Sequence, residues 1–146
     1  AWFHDAVYDG ERDAEERSAV WAETALDGLV DPATVAEVAR LVRLTEEHRP
    51  AQDDANGCAL SDADLWILAS SPDRYADYVA AVRTEYAHLP DEVFAEGRAA
   101  VLQGLAAKDH LFQTAHGAAT WEVPARANMA HELDKLLPAA PPASRR

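Results

Sequence analysis

The sequence predicts an all-α protein of six or seven helices, on three observations. Alanine is abundant, and the short polar–apolar alternations that half-buried strands need are scarce. Apolar residues recur at three- and four-residue spacing along most of the chain. Several of these stretches open beside a proline, at Asp31-Pro32, Ser71-Pro72 and Pro90-Asp91, where the ring presets the first helical turn. At 146 residues a single domain is expected over 1–137, large enough to bury a core without disulfides.

In chain order, residues 2–8 read as the end of a buried helix, and Asp9-Gly10-Glu11-Arg12-Asp13 as a polar turn. A helix is expected over 14–29, with Trp21, Ala25 and Leu29 as its stripe and Ser18, Ala22 and Leu26 beside it. Glu15 and Glu16 fall in its first turn, where the helix dipole favours acids. The next helix, 32–48, has Val35, Val38, Ala39 and Val42 as its stripe, extended by Leu41, Leu44 and Thr45, and carries His48 on the buried side of its C-terminal end. Residues 49–59 hold Pro, Asp, Asn and Gly and read as a loop. Ser61 then opens a short helix over 61–68. A helix over 71–88 shows Tyr75, Val79, Val82 and Tyr86 on one face, and one over 90–108 turns Phe94, Val101, Leu102 and Leu105 inward. Pro124 starts the last, with Ala125, Met129, Leu133 and Leu136 inward. The Pro/Ala tail, 138–146, has almost nothing to bury and is expected to be disordered.

The totals bound the function. A formal charge of −13 argues against a nucleic-acid backbone as partner, but a cation held by acids still attracts a small phosphate. The single cysteine, Cys58, excludes an intrachain disulfide and a cysteine-based zinc site, and reads as a small loop residue. No run of eighteen apolar residues and no signal-peptide pattern is present, so no membrane partner and a cytoplasmic setting are expected. The chain opens on Ala1 within an apolar pattern, so a preceding N-terminal segment is expected as well. Glycine-rich phosphate loops, nucleophile elbows and the HExxH pattern are all missing from the sequence.

Four residues or pairs are candidates for chemistry. His4-Asp5, set in the apolar run Trp2-Phe3-His4-Asp5-Ala6-Val7-Tyr8-Asp9, offers one nitrogen and one oxygen ligand. Asp64 lies on an apolar stripe, where an unpaired carboxylate is costly. Ser61-x-x-Asp64 fits a capping box equally well, with Asp62 merely favouring the dipole. His48 is either a satisfied core residue or a ligand facing a cleft before Pro50. Arg98 and Arg83 fit either a structural ion pair or a phosphate clamp. Arg126, Asn128 and Glu132 are explained by surface pairing along the last helix, and His88, His110, His116 and His131 show no convergent spacing.

The ordered set His4-Asp5, His48, Asp62-Ala63-Asp64-Leu65 resembles the HD-domain superfamily of metal-dependent phosphohydrolases, closest to a small bacterial branch. Glu15-Glu16-Arg17-Ser18-Ala19, Leu44-Thr45-x-x-His48, Trp66-Ile67-Leu68, Arg83-x-Glu85-Tyr86, Gly97-Arg98 and Ala125-Arg126-Ala127-Asn128 extend the likeness over most of 1–137. The resemblance implies an HD-domain-like helical fold holding one divalent metal ion, with Mn, Co, Ni, Fe, Zn and Mg not distinguished. It implies His4, Asp5 and Asp64 as ligands, with Asp62 as the alternative acid and His48 as a substitute for a histidine expected upstream of residue 1. Hydrolysis of a small phosphorylated compound, such as a nucleotide, would follow from a metal-activated water. Asp9, Glu15 or Glu16 would move the proton, and Arg17, Arg83 or Arg98 would clamp the phosphate. A noncatalytic ligand-binding or interaction module of the same fold is the alternative, and a homodimer is left open.

Overall fold

The computed structural model describes residues 2–7 and 12–137. Among them the chain is all-α, with no strand and seven α-helices. These are α1 (Ala14–Leu26), α2 (Pro32–Leu44), α3 (Ala55–Leu65), α4 (Pro72–Glu85), α5 (Asp91–Ala106), α6 (Ala115–Thr120) and α7 (Glu122–Leu136), with a short 3-10 helix, Trp66–Ala69, after α3. The expected tail at 138–146 lies outside the described residues. By its contacts the chain forms two compact units, Ala1–Asp64 and Leu65–Arg146.

In the first unit α1 packs on α2, and the interface is made of small residues. Ser18, Ala19 and Ala22 of α1 are fully buried, as are Ala39 and Val42 of α2, with Phe3 and Val38 against them. The buried stripe of α1 is therefore rotated from the expected one. Trp21 is 52% exposed, and Leu29, at 76%, lies beyond the helix end. Large apolar side chains draw the eye in the sequence, but close helix contact selects small ones. Arg43 ties the pair together from the outside, reaching Glu16 and Glu23 of α1.

Helix α2 starts as its sequence predicts. Asp31 accepts hydrogen bonds from the Thr34 amide (3.0 Å) and hydroxyl (2.6 Å), and Pro32 takes the first helical position. It ends four residues earlier than expected, at Leu44, and residues 45–48 continue as a turn. Helix α3 corrects the sequence reading further. It begins at Ala55, so Asn56, Gly57 and Cys58 are helical rather than loop, and Ser61 sits mid-helix instead of opening one. The capping residue is Asp54, whose Oδ1 accepts from the Gly57 amide at 2.9 Å. Gly57 is required for close approach: a Cβ there would press on the Asp54 carboxylate and lie 2.8 Å from Leu44 Cδ2.

The second unit is centred on Leu65, Leu68, Tyr75, Leu102, Leu111, Phe112, Ala125 and Met129. Helix α7 packs on the 3-10 helix, α5 and α6. Tyr75, Leu102, Ala125 and Met129 point inward as expected, but Val101 is 55% exposed. Leu111 and Phe112 come from the α5–α6 connection, where Glu122 accepts both of their amides and Arg126 donates to the carbonyls of Ala106, Lys108 and Asp109. Arg126 and Glu122 thus staple an irregular segment. No helix among the described residues is long and apolar enough to cross a membrane.

Candidate metal centre

The centre is assembled within the first unit from three separated segments. Residues 2–5 form a turn, not a helix end, closed by the Ala6 amide donating to the Phe3 carbonyl at 3.2 Å. Two contacts hold it against α1. Phe3 enters the α1–α2 core, and the Val7 amide donates to Ser18 Oγ at 2.9 Å. Trp2 points away, 96% exposed. This leaves His4 half-buried and the Asp5 side chain 65% exposed. His48 follows α2, with its amide on the Leu44 carbonyl at 3.0 Å. Asp64 stands in the last turn of α3, the end of a helix where the dipole favours positive charge.

The side chains converge. His4 Nε2 lies 3.1 Å from Asp5 Oδ2 and 3.1 Å from Asp64 Oδ1. His48 Nε2 lies 2.7 Å from Asp64 Oδ2. One ligand atom each from His4, Asp5 and Asp64 fall within 4.8 Å of one another, and His48 is not part of that set. Burial raises the Asp64 pKa, but the His48 hydrogen bond and the two neighbouring imidazoles outweigh it and hold the carboxyl below its ordinary value. Asp64 is therefore an ionised, oriented carboxylate at neutral pH.

The donor set fits a small divalent cation. Ligand atoms bonded at about 2.0–2.2 Å and at right angles to each other lie about 3 Å apart, which matches the two 3.1 Å separations at His4 Nε2. One imidazole nitrogen with two carboxylate oxygens suits first-row divalent ions and Mg²⁺.

Among the described residues, the other candidate acids fall outside the converging set. Asp62 is buried, about 160° around α3 from Asp64, and falls outside the converging set. Asp64 forms no capping box, because Ser61 is mid-helix. Asp9 lies outside the described residues. Glu15 is half-buried in the first turn of α1. Glu16 is engaged by Arg43 Nε and Nη2 at 2.6 and 2.7 Å, and this pairing keeps its carboxyl below the usual range. A group held ionised in this way is poorly suited to donate a proton. Arg17 is half-buried on α1, its Nε shut off from solvent.

Arg83 and Arg98 belong to the second unit and are taken up within it. Arg83 caps the end of α4 through the carbonyls of Tyr86 and Leu89 and pairs with Asp91. Arg98 forms a buried pair with Glu132, so Glu132 is not a surface residue as its spacing suggested. Asn128 donates to the carbonyls of Leu68 and Ser70, and Arg126 pairs with Glu122. A positioning residue escaped the sequence reading: Ser18, which anchors the His4-Asp5 turn. Its signal was a hydroxyl on a buried stripe, where it must find a partner. No family model matches the chain, and no curated protein or solved structure shows significant similarity to it.

Proposed function

We propose that His4, Asp5 and Asp64 hold one divalent cation, and that the protein is a metal-dependent phosphohydrolase acting on a small phosphorylated compound such as a nucleotide. The observation that carries the reading is the meeting of an imidazole nitrogen and two carboxylate oxygens within 4.8 Å. They come from a surface turn and a helix end sixty positions apart. When bound, such a cation supplies an acidified water and polarises a phosphoryl oxygen. The chain's own residues do the rest. His4 and Asp64 fix the site from its inner side, and exposed Asp5 faces the solvent from which a substrate arrives. Glu15 remains the proton-transfer candidate among the described residues, and of the three candidate arginines Arg17 is the one that belongs to the same unit and would meet a phosphate. In a chain of net charge −13, local neutralisation at these acids is what would allow an anionic substrate to approach.

A noncatalytic ligand-binding or interaction module is the second reading. It is favoured by the hydrogen bonds that His4 and His48 make to Asp64, which satisfy the carboxylate without an ion. Turnover separates the two. The full chain, supplied in turn with Mn²⁺, Co²⁺, Ni²⁺, Fe²⁺, Zn²⁺ and Mg²⁺, is assayed against p-nitrophenyl phosphate and a set of nucleotides. Metal-dependent release of phosphate, lost in Asp64→Asn, is the expected result. Metal uptake without turnover of any of these compounds selects the module.

A further inference from the structure

We infer that His48 is a positioning residue that acts through Asp64, fixing one carboxylate oxygen so that the other alone faces the cation. The inference rests on the metal reading above. The two oxygens of Asp64 have different partners. Oδ1 faces His4 Nε2 at 3.1 Å, on the side of the converging set. Oδ2 accepts a 2.7 Å hydrogen bond from His48 Nε2. The ionised carboxylate is the acceptor in this short contact, so Oδ2 is engaged by a donor and Oδ1 is left on the side of the converging set. His48 lies outside the set whose ligand atoms fall within 4.8 Å of one another.

The backbone is arranged for this contact. His48 has φ 51°, a left-handed conformation that a residue with a Cβ adopts at a cost. Its amide closes onto Leu44, so the chain leaves α2 with the imidazole turned to α3. The His48 side chain is 15% exposed against 26% for Asp64 and 65% for Asp5, so the imidazole is the most enclosed of the three. A bond donated by an enclosed ring to one oxygen fixes the carboxylate plane. It also keeps Asp64 from binding through both oxygens. Single-oxygen ligation suits a small octahedral ion, whereas Ca²⁺ commonly takes bidentate carboxylates. His48 thus sets affinity for small ions and selects against Ca²⁺.

The test is a calorimetric titration of the full chain with Mn²⁺ and with Ca²⁺, for the unaltered protein, His48→Gly and His48→Gln. Glycine removes the ring and is at home at φ 51°, so the fold is retained. Glutamine restores an N–H donor near the Nε2 position. His48→Gly is expected to bind Mn²⁺ about 10–100-fold more weakly, the range for losing a hydrogen bond to a metal ligand. Its preference for Mn²⁺ over Ca²⁺ should narrow, and His48→Gln should recover most of both. Unchanged Mn²⁺ affinity in His48→Gly overturns the inference. So does a loss in His48→Gln as deep as in His48→Gly, which would make the imidazole itself a ligand. Should His48→Gly not fold, His48→Asn replaces it: asparagine tolerates left-handed backbone, and its amide stops short of the Nε2 position. Failure of the unaltered chain to take up Mn²⁺ shows before any variant is compared; it overturns the metal reading and this inference with it.

Discussion

Glu132 shows what a single buried carboxylate does when its partners are complete. Its oxygens receive Arg98 Nε at 2.7 Å, Arg98 Nη2 at 3.1 Å and the Tyr75 hydroxyl. Burial opposes the charge on Arg98, yet the pairing with Glu132 keeps it firmly protonated; burial and the same carboxylate push the Tyr75 phenol up. Removing one partner leaves the other charge enclosed without compensation, whereas removing both does not. Glu132→Ala is therefore expected to lower unfolding stability by about 3–5 kcal/mol, and Arg98→Met with Glu132→Leu by much less. Urea denaturation checks this. Equal losses in the single and double variants would show that packing, not charge, makes the site sensitive. Asp64 follows the same logic in the first unit, with two imidazoles in place of a guanidinium and solvent within reach.

At the level of elements, three of the four helix starts marked by proline were legible in the sequence; Pro124 instead sits in the first turn of α7, which opens at Glu122. Asp31-Pro32 and Ser71-Pro72 open α2 and α4, and Pro90 directly precedes α5. The start of α3 was not legible, for a physical reason. Asn56-Gly57 is a turn signal by local preference, but Gly57 serves here to let the helix start approach Leu44. Its cap also serves a tertiary purpose: Asp54 receives both the Gly57 amide and the Arg40 guanidinium. Helix α6 is under two turns long, and its Thr114 cap is found only once its contact with the Gly117 amide is seen. The corrected α3 yields a prediction. Were Ser61 a cap, Ser61→Ala would cost about 1 kcal/mol. Its Oγ is instead fully buried, with no hydrogen-bond partner among the described residues, so Ser61→Ala should leave the melting temperature unchanged or raise it. Asp54→Ala should lower it. The reverse order in thermal melts would restore Ser61 as the helix start.

At the scale of the whole molecule, the all-α class was readable from composition and spacing, and the His4-Asp5 and Asp64 candidates were readable as residue types. Their convergence was expected only through the resemblance and not from the residue pattern itself, because it depends on Ser18 and Phe3 holding the turn and on where α3 begins. The acidic balance has its own consequence. Hydrogen bonds from Arg40 and Asn56 lower the Glu37 pKa from 4.5 to about 2, and Glu16, Asp31 and Asp54 are lowered by Arg43, Thr34 and Arg40 respectively. Carboxyls lowered by folding contribute stability that is full above their unfolded values and is lost as pH falls through the folded ones. Unfolding stability should thus decline from about pH 4.5 toward about pH 2 for Glu37, less steeply in high salt because its carboxyl is partly open to solvent. Denaturation curves across that range that do not move with pH would show that the ion pairs contribute nothing. The central claim is met most directly by equilibrium dialysis of the intact chain against Mn²⁺, followed by elemental analysis. One ion should be retained per chain, and essentially none by Asp64→Asn. Equal retention by the two proteins, or none by the unaltered chain, would contradict it.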